Sequence, residues 1–269
     1  MIRLFYRLCA FFIPGRKRRD AFMRRHYWDM HPDERILREV QLGISTARLH
    51  EKAFGEFKNR CQGQDVVLVA GGPSVCDYRP IPGAVHIGVN AAYKCAKVDF
   101  DYLFVQDVHD RRGMLDEINA YKPPRGCVKF YGIMDERKMG NDYTIPESDA
   151  LLVGARRYRV DNRNSKWGMQ LDITSSDLAC YGTVALPAAQ FALWMNPRRL
   201  YLVGCDCSTG YFYCDGEGDP RLAKRHDDML RGYRALKRFA SKWYPATEII
   251  SINPVGLKGM FTDMAQNGD

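Results

Sequence analysis

Short apolar runs, most of them ending in glycine or polar residues, recur along the chain from residue 66 onward. These runs are VVLVA (66–70), VHIGVN (85–90), YLFVQD (102–107), CVKFYG (127–132), RLYLVGCD (199–206) and EIISIN (248–253). Continuous apolar character is typical of strands that are buried on both faces of a sheet. Helix-length stretches at 181–195 and 221–243 alternate with the later runs. The pattern therefore predicts an α/β fold with a single Rossmann-like, doubly wound, mostly parallel sheet.

The pattern changes at three places, which divide the chain into regions. Residues 1–28 combine apolar residues at helical spacing with a basic cluster, and residues 29–64 are polar, amphipathic and helical in pattern. We predict a basic amphipathic segment over 1–28, a helical bridge over 29–64 and the Rossmann-like domain over 65–269. Residues 135–177 are rich in Arg, Asn and Asp and poor in strand formers, which indicates a small lid insertion.

The positive charge is concentrated in the first segment. The chain carries a net charge of +8, and residues 1–28 hold eight basic residues against Asp20, a net +7. A nucleic-acid-binding domain usually spreads its basic residues over the folded domain, so we expect no nucleic-acid partner. Arg7 interrupts the apolar stretch, and no apolar run reaches the roughly 18 residues needed to span a bilayer. We therefore expect neither a signal peptide nor a transmembrane helix.

An apolar helix beside a basic cluster is typical of an interfacial anchor on an anionic membrane. The sequence thus predicts a cytoplasmic protein that is peripheral at the inner face of the cytoplasmic membrane. The alternative is a helix that packs on the domain or on another subunit, and a homo-oligomer stays open. Nine scattered cysteines indicate free thiols in a reducing compartment. The spacing of Cys205, Cys207 and Cys214 lacks the paired geometry of a zinc site.

Polar and glycine residues stand where several predicted strands end. In a parallel sheet these carboxyl ends share one edge, where ligands bind near the switch in strand order. Glycines there allow a phosphate to approach the backbone, and amide side chains can bind a base or a ribose. The sequence therefore predicts a nucleotide-sized site from Gly71, Gly72, Pro73, Ser74, Asn90, Gln106, Asp107 and Asp206.

Two further features are candidates for chemistry. Asp107, His109 and Asp110 are either a metal-binding acidic motif or a capping cluster in a loop. His226 follows a loop that carries Tyr211 and Tyr213. This position makes His226 a stronger candidate for a catalytic residue than an ordinary surface histidine.

The series VVLVAGGPSV, IGVN, FVQD, YGTVALPAAQFALWMNPRRLYLVGCD, a Tyr-rich loop, a His and INPVGLKGMF resembles the small bacterial sialyltransferases. The resemblance covers roughly residues 65 to 262. Those enzymes use CMP-sialic acid to decorate capsule and lipooligosaccharide. The Gly-Pro-Ser and Leu-Val-Gly-x-Asp signatures are also similar to a wider group that includes flagellin-modifying glycosyltransferases and an archaeal pterin pyrophosphokinase.

The resemblance implies an inverting glycosyltransferase that needs no cofactor and no metal and uses a CMP-activated acidic sugar. By motif position it implies a donor loop at Gly71, Gly72 and Ser74 and strand-end amides at Asn90 and Gln106. Gly182 and Thr183 correspond to the small residues that open the helix beside the donor. It implies that Tyr211 and Tyr213 stabilise the departing phosphate and that His226 is the general base. In one departure, Gly71 stands where the family usually has asparagine.

The implied partners are a nucleotide sugar and a glycan or glycolipid acceptor. The arginines Arg156, Arg157, Arg159 and Arg163 either pair with an anionic substrate or form a solvated basic face. Two other functions stay open at this point. One is a metal-dependent pyrophosphokinase or NDP-sugar transferase that uses Asp107, and the other is a non-catalytic nucleotide-binding assembly protein.

Overall fold

The computed structural model describes residues 1–106, 112–134, 145–161, 168–213 and 220–266. The helices in these ranges are α1 (Ile2–Phe11), α2 (Arg16–Arg25), α3 (Tyr27–Met30), α4 (Pro32–Phe54), α5 (Arg112–Ala120), α6 (Glu147–Leu152), α7 (Ala185–Trp194), α8 (Pro220–Ala223) and α9 (His226–Trp243). The strands are β1 (Asp65–Val69), β2 (Val85–Val89), β3 (Tyr102–Val105), β4 (Val128–Ile133), β5 (Arg156–Asp161), β6 (Leu178–Ala179), β7 (Arg199–Val203), β8 (Glu248–Ile252) and β9 (Thr262–Met264). Short 3₁₀ turns occur at Gly55–Phe57, Pro73–Asp77 and Asn90–Lys94.

The strands form one parallel sheet in the order β6-β5-β4-β3-β2-β1-β7-β8-β9. The chain runs outward from β1 to β6, returns to β7 on the other side of β1, and runs outward again to β9. The direction of strand order therefore reverses between β1 and β7, and the crevice at such a reversal is where doubly wound folds bind ligands. The predicted α/β fold with a doubly wound parallel sheet is confirmed.

Both faces of the sheet are covered, as the continuous apolar strands predict. In β1, Val66 and Leu68 pack with Phe54 and the residues of α7 on one face. Val67 and Val69 pack on the other face, against the aromatic residues that follow the first strands. The carboxyl ends of the central strands are thus fixed by packing on two sides, which gives the loops beyond them a rigid base.

The structure contains strands that the sequence pattern does not predict. β5 lies within the region predicted as a lid, residues 135–177, and it pairs with β4 and β6 as a member of the sheet. Its sequence, RRYRVD, alternates arginines with the buried Tyr158 and Val160, so its apolar content is too low to resemble a buried strand. β6 has two residues and β9 has three, too few for a recognisable pattern. A lid formed by other residues of this region stays a prediction.

The contacts within the chain divide it into an N-terminal unit (Met1–Ala47) and a sheet unit (Arg48–Asp269). This division falls inside α4, whereas the sequence pattern places its changes at residues 28 and 64. Among the described residues, no helix combines the length and the apolar character that a membrane crossing demands.

Candidate active site at the strand-order reversal

The carboxylate of Asp206, which follows β7, is hydrogen-bonded to the turn after β1. Asp206 is buried, and its Oδ2 accepts a hydrogen bond from the Ser74 backbone N–H at 2.8 Å. Its Oδ1 accepts a second hydrogen bond from the Ser74 hydroxyl at 2.5 Å. The two segments that end the central strands are therefore joined across the reversal point. Asp206 and Ser74 were both predicted to bind a ligand, and in the structure they are hydrogen-bonded to each other.

Glycine is required where these two segments approach each other. The Gly72 N–H donates to the Gly204 carbonyl at 2.9 Å. A Cβ on Gly72 would lie 2.5 Å from Asp206 Oδ2 and 2.6 Å from the Gly204 carbonyl oxygen. Gly204 itself has a φ of +64°, which side-chain-bearing residues seldom adopt. The backbone of the Gly-Gly-Pro-Ser turn (residues 71–74) therefore packs closely against Gly204, and the same turn is a candidate phosphate-binding site.

An aromatic pair packs on the same turn. The rings of Tyr211 and Tyr213 are stacked, with their centroids 5.1 Å apart. The N–H of Phe212, between them, donates to the Gly71 carbonyl at 3.0 Å. A Cβ on Gly71 would lie 3.1 Å from Cδ1 of Tyr211, so the Tyr211 ring occupies the space that a larger residue would need. Packing against the Tyr211 ring therefore favours glycine at position 71.

The two strand-end amides have different partners within the fold. Asn90 has a φ of +47°, a left-handed conformation that asparagine tolerates better than most residues, and its Oδ1 accepts the Gln106 backbone N–H at 2.8 Å. The Gln106 side chain is buried, and its Nε2 donates to the Tyr158 hydroxyl at 2.8 Å. Gln106 thus directs its amide into the fold, while the Nδ2 donors are the part of Asn90 suited to a ligand.

The segment that opens α7 lies against the start of α9. Tyr181 and Gly182 both have positive φ, at +46° and +78°. A Cβ on Gly182 would lie 3.5 Å from Cδ of Arg225, the residue before His226. The Thr183 hydroxyl accepts the N–H of Ala185, the first residue of α7, at 3.3 Å. Gly182 and Thr183 are therefore close to the segment that carries His226.

His226 is the first residue of α9. Its side chain is 45% exposed, and its Nδ1 lies 3.2 Å from Oδ1 of Asp227. A substrate can reach a residue with this exposure, and an adjacent carboxylate favours the tautomer in which Nδ1 carries the proton.

Two contacts connect these groups across the edge of the sheet. The Cys180 thiol donates to Oε1 of Gln106 at 3.9 Å, which links the ends of β3 and β6. The ammonium of Lys94 lies 5.8 Å from the Tyr213 ring centroid, which links the turn after β2 to the aromatic pair. The predicted residues that the structure describes therefore lie on segments at the carboxyl edge of the sheet or beside it. Sequence reasoning did not single out Lys94 or Arg225; their only signal is a basic residue close to Asn90 or to His226.

Asp107, His109, Asp110 and Cys214 lie outside the described residues. Within the described ranges no group of three His, Cys, Asp or Glu side chains is arranged to hold a metal ion. Burial raises the pKa of the Cys205 thiol, and it raises that of Cys207 to about 12. Both thiols are therefore protonated at neutral pH when no metal is bound.

Two arginines of β5, Arg156 and Arg157, have side-chain partners within the protein. Arg156 forms an ion pair with Glu56, and its guanidinium lies 4.8 Å from the Phe57 ring centroid. Arg157 lies 3.5 Å from the carboxylate of Glu147. Arg159 is a strand residue whose backbone N–H donates to His50, and Arg163 lies outside the described residues. Any pairing of these residues with an anionic substrate stays a prediction.

The fold and the site together define a Rossmann-like α/β protein with a candidate nucleotide site at its strand-order reversal. No protein-family model matches the chain, and no curated protein matches its sequence. The sialyltransferase CstII from Campylobacter jejuni, in complex with CMP-3FNeuAc, is 12% identical, with a TM-score of 0.44 over 75% of this chain and 86% of CstII. CST-II with trisaccharide acceptor and CMP is also 12% identical, with a TM-score of 0.43 over 77% and 88%.

The MAf glycosyltransferase from Magnetospirillum magneticum AMB-1 is 15% identical, with a TM-score of 0.42. It is matched over 93% of this chain and 41% of its own. With identities this low and TM-scores below 0.5, the likeness does not identify a donor, an acceptor or a catalytic residue.

Proposed function

We propose that this chain is a glycosyltransferase that moves an acidic sugar from a CMP-activated donor to a surface glycan or glycolipid. The sugar is of the sialic acid, nonulosonate or 3-deoxy-octulosonate type. The transfer needs no metal, and it takes place at the inner face of the cytoplasmic membrane. The sequence resemblance over residues 65 to 262 supports the reaction class, and the site at the carboxyl edge of the sheet supports a nucleotide donor.

One observation carries the proposal: the Gly-Gly-Pro-Ser turn is held at the strand-order reversal by both carboxylate oxygens of Asp206. This bracing fixes the turn before any ligand binds, so little ordering is needed on binding. The N–H groups of Gly72 and Ser74 are already bonded within the protein, so the donors that we propose for the phosphate are side chains beside the turn. The Tyr211–Tyr213 pair packs on the same turn, where phenolic hydroxyls can donate to a phosphate oxygen. The Lys94 ammonium lies beside Tyr213 and forms an ion pair with Glu117 at 3.2 Å, so its charge is partly compensated.

These residues have a consistent chemistry for the transfer. The acceptor oxygen attacks the anomeric carbon, the bond from that carbon to the phosphate oxygen breaks, and CMP leaves with the electron pair. His226 takes the proton of the acceptor hydroxyl on Nε2 while Nδ1 donates to Asp227. The hydroxyls of Tyr211 and Tyr213 stabilise the charge that develops on the leaving phosphate.

A thermal-shift panel of CMP, UDP, GDP and ATP, with and without Mg²⁺, tests the donor class. We expect CMP to stabilise the protein without Mg²⁺, by about 2.7 kcal/mol at 100 times its dissociation constant. Gly72→Ala should remove this shift because its Cβ overlaps Asp206 and Gly204. Gly113→Ala, at a helical position with open space around the Cβ, should keep it. A shift with UDP or ATP that requires Mg²⁺ would contradict the proposal and favour the metal-dependent alternative.

Replacement of His226 tests the general base. We expect His226→Ala to lower the turnover of a CMP-sugar by about 10²–10⁴-fold while the CMP thermal shift is kept. His31→Ala, at a histidine in the N-terminal unit, serves as the control and should retain full turnover. Full activity of His226→Ala would remove this residue from the mechanism.

A further inference from the structure

The apolar side of α1 faces outward. Leu4, Phe5, Leu8, Phe11 and Phe12 form a stripe about 120° wide along this helix, and each is between 59% and 75% exposed. In a helix of a globular protein such a stripe normally faces the core. We call these five residues the outward stripe.

The opposite side of α1 packs within the N-terminal unit and fixes this orientation. The Tyr6 ring stacks on the His26 ring with centroids 4.7 Å apart, and the Tyr6 hydroxyl donates to Asp29 at 3.3 Å. Ala10, on the same side as Tyr6, is buried. The smaller and more polar side of α1 therefore makes the contacts inside the unit, and the strongly apolar side does not.

A basic cluster follows the outward stripe along the chain. Arg16, Lys17, Arg18 and Arg19 are all exposed, and they occupy the first turn of α2, which contains no acidic residue. Cations at a helix N-terminus are disfavoured by the helix dipole, and four adjacent like charges repel one another. An anionic surface would offset both costs, so the charge arrangement points to an anionic partner.

A pocket of about 610 Å³ in the N-terminal unit adjoins the stripe at Phe5. Its lining includes Met1, Ile2 and Trp28. An amphipathic tryptophan beside exposed aromatic and basic residues is typical of the boundary between headgroups and acyl chains. The pocket thus enlarges the apolar surface that could contact a bilayer.

We propose that the outward stripe docks on an anionic lipid bilayer, with its side chains at the acyl-chain boundary and residues 16–19 against the headgroups. A bilayer fits better than a second copy of the chain, because a second copy would bring another net +7 segment against the first. The proposal does not depend on the proposed glycosyl transfer, since it rests on residues of the N-terminal unit alone.

Co-sedimentation of the full chain with phosphatidylcholine vesicles, with and without phosphatidylglycerol, tests this docking. We expect binding to the anionic vesicles that weakens with added salt. Replacing residues 16–19 with glutamine should lower the partition coefficient by about 10²–10³-fold. The double variant Leu8→Gln/Phe11→Gln should lower it by at least about tenfold.

The matched control is Leu37→Gln/Val40→Gln, because these side chains are 59% and 52% exposed but belong to α4 and not to the outward stripe. It should bind the vesicles as the unchanged protein does. Equal binding by all variants, or no binding to anionic vesicles, would overturn the proposal. So would a sedimentation coefficient of the vesicle-free protein that drops in Leu8→Gln/Phe11→Gln, since a second copy would then cover the stripe. The CMP thermal shift should be the same in every variant, which separates this test from that of the active site.

Discussion

Two ten-residue helices, α1 and α7, handle apolar residues in opposite ways. Every residue of α7 is buried, whereas Ala10 is the buried residue of α1. A helix that is apolar on nearly all sides, as α7 is apart from Gln190, belongs in the interior of a protein. α7 packs against the central strands, and α1 turns its most apolar side outward.

The polar side chains of the sheet unit and of the N-terminal unit also differ in how deeply they are buried. In α7 the buried Gln190 amide donates to the carbonyls of Ala179 at 2.8 Å and Leu186 at 3.1 Å. In the N-terminal unit, Arg3 and Glu34 form an ion pair at 3.9 Å in which both side chains are more than half exposed. Buried hydrogen bonds are costly to break, while exposed ion pairs contribute little. The comparison indicates that buried groups stabilise the sheet unit, whereas the exposed apolar side of α1 is suited to contact with a binding partner.

The same substitution in both helices is the strongest test of this difference. Leu193, in α7, is fully buried, and Leu193→Ala should cost about 2–5 kcal/mol in the free energy of unfolding. Leu8→Ala, at a side chain that is 59% exposed, should change it by less than about 0.5 kcal/mol. Urea denaturation followed by circular dichroism measures both. A loss of several kcal/mol in Leu8→Ala would show that the outward stripe is covered in solution.

A buried histidine gives the sheet unit a dependence on pH. The His50 ring is fully buried, with Nδ1 donating to the Ile173 carbonyl at 2.8 Å and Nε2 accepting the Arg159 N–H at 2.7 Å. Burial lowers its pKa from 6.5 to about 4. The unfolded chain therefore takes up a proton below pH 6.5 that the folded chain refuses until about pH 4. Stability should be complete above pH 6.5 and fall by about 3 kcal/mol as the pH drops to 4.

The His50→Gln variant should lose most of this pH dependence between pH 6.5 and 4, measured as the free energy of unfolding in urea. His86 contributes in the same direction, because burial also lowers its pKa, so part of the slope should persist. The control Phe54→Leu removes part of a buried ring beside His50 and should cost the same at both ends of this range. An unchanged slope in His50→Gln would contradict the assignment.

Most of the fold could be predicted from apolar runs, because a strand buried on both faces must be apolar throughout. β5 could not, because its arginines obtain their partners from distant segments: Arg156 pairs with Glu56 and Arg157 with Glu147. A local pattern contains no information about such partners. β5 therefore resembles a polar loop in the sequence and becomes a strand only in its tertiary context.

The candidate site shows the same limit. The positions of Asp206 and Gln106 at strand ends could be predicted, but not the atoms to which they bond. The carboxylate oxygens of Asp206 accept hydrogen bonds from Ser74. The Gln106 amide donates to Tyr158, a residue of β5, which the sequence pattern did not predict. Strand-end polarity thus predicted a candidate site, and the structure adds which of its residues are already hydrogen-bonded within the protein.

The bracing role of Asp206 leads to the smallest of the expected effects. In Asp206→Asn the carboxylate charge is lost, so the two charge-assisted hydrogen bonds from Ser74 are replaced by weaker ones, in which the amide oxygen accepts the Ser74 N–H and the NH₂ donates to the Ser74 hydroxyl. We expect a loss of about 2 kcal/mol in the free energy of unfolding and a weaker CMP thermal shift, because the Gly-Gly-Pro-Ser turn is no longer fixed.

Asp65→Asn is the matched control, since Asp65 lies at the opposite end of β1 and pairs at 3.0 Å with Arg198, whose side chain is 56% exposed. The Asp65 carboxylate is 13% exposed and also pairs with Arg199 at 3.8 Å, so the variant should lose about 1–2 kcal/mol but keep the full CMP shift. If the two variants bound CMP equally well, the brace would be structural only, and the phosphate cradle would lie elsewhere on the edge of the sheet. A selective loss of CMP binding in Asp206→Asn would instead show that the fixed turn, and not the general stability of β1, holds the nucleotide.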